Sequence, residues 1–241
     1  MKLPLIISLC LLSGWQAFSQ ISDIASLPAA SKSRVMSYLT LANNHAVIYS
    51  GKEELGYPAY VRNHPYFPSD QYLHGDLSFD GVVYPDVLMR LNVHREELVV
   101  TAPNRRFHVI IPRDRLDYAT LNSNILFYNG YRVKENSLPE GYFFILYQGR
   151  HAVIRRETAF LDEQITDMAI NVLFNKRVRY YVYKDGQYHP VSSKGSVLKL
   201  FNSHKKELNQ FIKEQHLDFK HATEHAIVAV SKHYETLIRQ L

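Results

Sequence analysis

Cysteine and tryptophan are almost absent: Cys10 and Trp15 are the only examples among 241 residues. Both fall in the opening stretch. Met1 and Lys2 give it a positive start, Leu3 to Leu12 are almost wholly apolar, and Ala17-Phe18-Ser19 before Gln20 has the small-x-small form that signal peptidase accepts. Residues 1–19 are therefore expected to be a cleaved leader. The apolar stretch is well short of the roughly 20 residues that span a bilayer, which argues against an anchor. Cys10 lies inside the apolar stretch behind Leu9, where lipid attachment is not expected. Cleavage would leave no thiol for a disulfide, a metal or nucleophilic attack. A chain exported in this way is stabilised by its core alone.

Other absences narrow the chemistry. No later apolar run approaches membrane-spanning length, and there is no glycine-rich phosphate loop and no G-x-S-x-G elbow. Asp162-Glu163 is a carboxylate pair, but adjacent side chains diverge in most backbone conformations. The formal charge of +5 falls by one if Lys2 leaves with the leader. It is spread through Arg105-Arg106, Arg155-Arg156 and Lys205-Lys206 without forming a dense stripe, so nucleic acid is not an expected partner. No catalytic residue, cofactor-binding residue or metal ligand is predicted.

The stretch most like a catalytic motif is HATEH, residues 221–225, in the H-x-x-E-H order of inverted zinc peptidases. There His221 and His225 would hold zinc and Glu224 would activate its water. A third ligand is needed, and only sixteen residues follow His225. On a helix, both histidines would project opposite the apolar stripe of Ile227, Val230, Tyr234, Leu237 and Leu241, toward water. Elsewhere, His64 and His74 flank HPYFPSDQYLH, a loop expected to pack Tyr66, Phe67 and Tyr72 on the body. His151 and His189 are expected in strands, packing or facing solvent.

Fold class follows from periodicity. Residues 20–42 suit a short helix or a strand equally. From 43 to 191 the signals are those of a β-rich body of roughly nine to twelve strands. Asp80-Gly81, Asn129-Gly130 and Asp185-Gly186 predict two-residue hairpin turns, and Gln148-Gly149 a fourth turn. Val178, Tyr180 and Val182 share one face of a strand; Arg179, Tyr181 and Tyr183 share the other, which is either covered by a further layer or binds something. From 192 to 241 the apolar spacing becomes helical, predicting two or three helices packed on the same domain. The expected class is α+β and mainly β: an antiparallel, hairpin-rich sheet, as sandwich or barrel, followed by C-terminal helices.

Seventeen tyrosines are abundant for one core, and Tyr57-Tyr60, Tyr66-Tyr72, Tyr128-Tyr131 and Tyr180-Tyr181-Tyr183-Tyr188 cluster. Tyrosine suits interfaces and sugar stacking, and it is equally a favoured strand residue. The segments HPYF, LSFDGVVYPDVLMRLNVHREELVV, LPEGYFFILYQGRHAVIRRE, YYVYKDGQYHPVSSKGSVLKLF and KKELNQFIKEQHLDF together resemble a group of uncharacterised exported proteins from Bacteroidota. The resemblance implies a Gram-negative envelope setting, periplasmic or on the inner face of the outer membrane, and carries no activity or functional residue with it.

The function expected from these readings is non-enzymatic binding or accessory work in the cell envelope through a Tyr-rich β surface. The partner would be an envelope or outer-membrane protein complex, or a glycan or hydrophobic ligand. The alternatives are a metal-dependent hydrolase at His221, Glu224 and His225, and a barrel-type carrier of a hydrophobic ligand.

Overall fold

The computed structural model describes residues 29–166 and 169–239. The expected leader, residues 1–19, lies outside the described residues, as do the start of the segment after it and Leu241. Helix α1 (Ala29–Ala42) settles the helix-or-strand alternative for the end of that segment. Its Val35 and Leu39 pack against the main core.

Twelve strands follow among the described residues, within the expected number. They are β1 (Lys52–Glu53), β2 (Tyr66–Phe67), β3 (Leu73–Phe79), β4 (Val82–Asn92), β5 (Glu97–Thr101), β6 (His108–Ile110), β7 (Leu116–Leu121), β8 (Asn124–Asn129), β9 (Gly141–Tyr147), β10 (Val153–Thr166), β11 (Ala169–Lys184) and β12 (Gln187–Val191). All belong to one antiparallel sheet in the order β1-β6-β5-β4-β3-β7-β8-β9-β10-β11-β12, with β2 beside β4. β1 and β12 are its ends and do not pair, so the sheet is open and no closed barrel forms.

Asp80-Gly81 (φ 52° and 73°) and Asp185-Gly186 (φ 51° and 82°) make the expected tight turns, both residues taking the left-handed region. Asn129-Gly130 does not. The Asn129 side chain is buried and donates to the carbonyls of Glu135, Leu138 and Pro139 at 3.1–3.3 Å, while Glu135 N–H donates to its Oδ1 at 2.7 Å. An asparagine so occupied organises the eleven-residue connection 130–140 between β8 and β9.

A bulge aims β4. Gly75 pairs with Val87 and Leu77 with Tyr84, so one β3 residue faces two on β4, with Asp86 at φ 58°. The extra residue changes the parity, and Tyr84, Val87, Met89, Leu91 and Val93 all reach the same core.

β10 and β11 form an arm. β10 pairs with β9 only over Val153 to Arg155 and then leaves it. Farther out, Ala159 N–H donates to Val93 O at 3.1 Å, across the β4–β5 turn, and the Asn63 side chain bonds both backbone groups of Phe174. The curled sheet thus brings Ala159 and Phe174 into one apolar cluster with Phe67, Met89 and Leu98.

Among the described residues three α-helices follow the sheet: α2 (Lys194–Leu200), α3 (Lys205–Glu214) and α4 (Thr223–Arg239). Ser193 caps α2, accepting from Ser196 N–H at 3.3 Å. Val197, Phe201, Leu208, Ile227 and Val230 pack on Val153, Val182 and Val191. Glu235 fastens α4 to the β9–β10 turn, accepting from Tyr147 OH at 2.9 Å and from His151 N–H at 2.6 Å. On the other sheet face Tyr181 and Tyr188 lie under Val133 and Leu138 of the 130–140 connection. That face is thus covered at Tyr181, whereas Arg179 farther along it is exposed. No helix among the described residues is long and apolar enough to cross a membrane.

Candidate functional site

HATEH is dispersed by the structure. His221 precedes α4, and its Nδ1 lies 2.7 Å from Asp218 Oδ2, an interaction that holds the Asp218 carboxyl below its ordinary range. Glu224 is paired with Arg155 at 2.9 Å, and His225 is exposed. Among the described residues no three His, Cys, Asp or Glu side chains come together to hold a metal ion. His74 pairs with Asp86 at 2.7 Å, and His64 stacks on Tyr66, with ring centroids 6.2 Å apart. His151 is buried, edge-on to Phe201 and Tyr234, and half-buried His189 reaches Lys184 O at 3.2 Å.

The tyrosine clusters mostly serve packing. Tyr66, Tyr128, Tyr181 and Tyr188 are buried, whereas Tyr60 and Tyr131 are exposed. Burial, aided by the Glu140 carboxylate, pushes the Tyr128 phenol up to about 12, so it stays a neutral donor to Glu140 at 2.6 Å.

The notable surface feature is cationic. Where the arm crosses the β4–β5 turn there is a cavity of about 350 Å³ whose lining includes Arg95, Arg113, Arg156, Arg179, Glu96 and Phe160. The strands set the two central cations. Pairing Val153 with Val182 and counting outward places Arg156 directly opposite Arg179, with both side chains on the face away from the main core. Like charges directly opposed across two strands are destabilising. Glu96 answers one of them, meeting Arg156 Nη2 at 2.7 Å. Arg179 is exposed and has no carboxylate partner among the described residues.

The surroundings hold these groups in place. Arg113 donates from Nε to Glu96 O at 3.0 Å and from Nη2 to Arg95 O at 2.8 Å, clasping the β4–β5 turn. The Arg95 guanidinium lies 4.2 Å above the Tyr57 ring and donates to Leu55 O. His94 Nδ1 lies 3.0 Å from Ala159 O; a carbonyl only accepts, so Nδ1 carries the hydrogen. Gly141, at φ 144°, provides space: a Cβ there would meet Glu96 Oε1 at 2.5 Å and Arg156 Nη2 at 2.7 Å.

Three guanidinium groups held by these contacts beside an exposed fourth, Arg179, suit planar or tetrahedral oxyanions, which they can bind through paired hydrogen bonds. Sequence reasoning missed this site because its arginines are up to 84 positions apart. The available signal was Arg179 on the outward face of its strand; its opposition to Arg156 needed the pairing register. Comparison of the chain with protein-family models, with curated proteins and with solved structures finds no match.

Proposed function

We propose that this chain is a non-enzymatic binding protein of the cell envelope, and that it takes an anionic group, carboxylate or phosphate, of a glycan or protein partner in the arginine notch. The observation that carries the reading is the direct opposition of Arg156 and Arg179 beside Arg113 and Arg95, with Glu96 as the carboxylate in the lining. A bound oxyanion would offset the repulsion that the sheet register imposes. The envelope setting is supported by the leader pattern in residues 1–19 and by the stated resemblance. Two tyrosines, one on β8 and one in the loop after β1, brace the site. Tyr128 meets Arg113 Nη1 at 3.4 Å, and Tyr57 underlies Arg95.

The test is calorimetric titration of the chain lacking residues 1–19 with inorganic phosphate, glucuronate and glucose 6-phosphate, at low and at physiological salt. Saturable binding of at least one, weakened about tenfold or more by Arg179→Gln, is expected from the loss of one charge-assisted bidentate contact. Equal heats for the unchanged chain and for Arg156→Gln/Arg179→Gln would refute the notch.

A further inference from the structure

The arm also has an opening in its backbone hydrogen bonding. Along a strand, N–H and C=O of one residue point to the same side and successive residues alternate. Phe174 N–H donates to Asn63 Oδ1 at 2.6 Å and Phe174 O accepts from Asn63 Nδ2 at 2.9 Å, while Val172 O accepts from Arg62 N–H at 3.0 Å. Tyr183 N–H points the opposite way, to Ala152 O at 2.8 Å. Even-numbered residues of β11 therefore present their backbone away from β10. Val172 and Phe174 are covered by residues 62–63, and Tyr180, Val182 and Lys184 by β12. Between them the backbone groups of Lys176 and Val178 meet no hydrogen-bonding partner among the described residues.

A groove of about 630 Å³ adjoins the β12 end of this opening, lined by Val178, Arg179, Tyr180 and Pro190 among others. Lys176, Arg177, Val178 and Arg179 are all exposed along the opening itself. We propose that the opening receives an extended segment of a partner protein as an added strand, and that this segment alternates acidic and apolar residues.

The alternation follows from β11 itself. Arg177 and Arg179 point to one face; Val178 and Tyr180 point to the other. A strand laid alongside places its own side chains against these, so acidic residues meet the arginines and apolar residues meet Val178 and the alkyl stem of Lys176, whose ammonium is turned to Tyr66 O at 2.6 Å. Asn175 to Arg179 extends about 16 Å, enough for a segment of about five residues. A second copy of this chain is a poor occupant, since edge-to-edge pairing would bring Arg177 and Arg179 against their own counterparts. This site is a backbone edge and does not depend on the notch, although Arg179 borders both.

The probe is a labelled, end-blocked hexapeptide of alternating glutamate and valine, with a lysine–valine counterpart as control. Binding to the chain lacking residues 1–19 is followed by fluorescence anisotropy, and the edge by hydrogen exchange at the Lys176 and Val178 amides. Saturable binding of the acidic peptide is expected, with both amides slowed. Arg177→Glu should weaken it about fivefold and strengthen the lysine peptide. Val178→Pro, which deletes an N–H that the sheet leaves unused, should weaken peptide binding and abolish the protection at the remaining Lys176 amide. Arg156→Gln, which damages only the notch, should leave peptide binding intact. The proposal fails if the acidic peptide does not bind, if the exchange protection lies elsewhere, or if the chain sediments as a dimer whose 176 and 178 amides are already protected.

Discussion

Glu54 carries a carboxylate only 2 % exposed, and the groups around it explain how it is tolerated. Arg90 Nη2 lies 2.8 Å from it and Tyr66 OH 2.9 Å, while the Arg90 guanidinium sits between the Tyr66 and Tyr72 rings at 3.7 and 4.3 Å. Burial raises both phenols, which stay protonated and able to donate. Glu54→Ala would leave the Arg90 charge poorly compensated and should cost about 3 kcal/mol in urea unfolding. A loss below about 1 kcal/mol, the scale of an exposed pair, would mean that water substitutes for the carboxylate. A second residue sets a pH response. Burial holds the His151 ring below its ordinary value, Arg150 and Lys184 reinforcing this and Glu235 and Asp185 opposing it. The folded ring stays neutral where the unfolded chain takes up a proton, so stability is full above pH about 6.5 and declines as pH falls below it. His151→Phe keeps the aromatic contacts and should flatten the slope of unfolding free energy as pH falls below about 6.5. His64, also lowered mainly by burial, leaves a residual slope of the same sign. An unchanged slope would assign the whole response to other groups. Residue by residue, the sequence revealed exposure better than partnership. The solvent-facing position of His225 followed from helical angle, whereas the pairing of Glu224 with Arg155, 69 positions away, depended on the tertiary fold.

Elements were legible where one local signal decides them and illegible where a tertiary contact does. Asp80-Gly81 and Asp185-Gly186 turn as expected: their carboxylates pair with Arg115, Arg132 and Lys184 without taking up a backbone group that the turn needs. Asn129-Gly130 carries the same signal, but the Asn129 amide is drawn into a buried set of carbonyls and the strands separate. The β4 bulge left no motif either, because it arises where β3 passes close to β7. At Gly75 an added Cβ would lie 1.9 Å from Thr120 O. Gly75→Ala must therefore push β3 away from a backbone carbonyl and not from a side chain that can rotate. The expected cost is about 2 kcal/mol or more, seen as a lower urea midpoint at unchanged slope. A variant with wild-type stability would show that β3 and β7 separate freely at this point.

At the scale of the whole molecule, an open sheet that curls and then extends an arm across itself brings Arg95, Arg113, Arg156 and Arg179 together from four connections or strands. No window of sequence holds more than one of these arginines with its eventual neighbours. The mainly β class and the helical C-terminus could therefore be read from periodicity, and the notch could not. If the notch exists for a ligand, it should weaken the empty protein. Arg179→Gln removes one of two like charges opposed across β10 and β11 while keeping a polar, though shorter, side chain. In dilute buffer the variant should be more stable than the unchanged chain, by about 0.5 kcal/mol, the scale of a cross-strand charge pair. That advantage should shrink at about 1 M sodium chloride, where the screening length falls to about 3 Å. It should reverse at saturating phosphate, because a ligand stabilises only the protein that binds it. Thermal unfolding of both proteins under the three conditions separates this from a structural role: an arginine needed for packing would lose stability on substitution in all three.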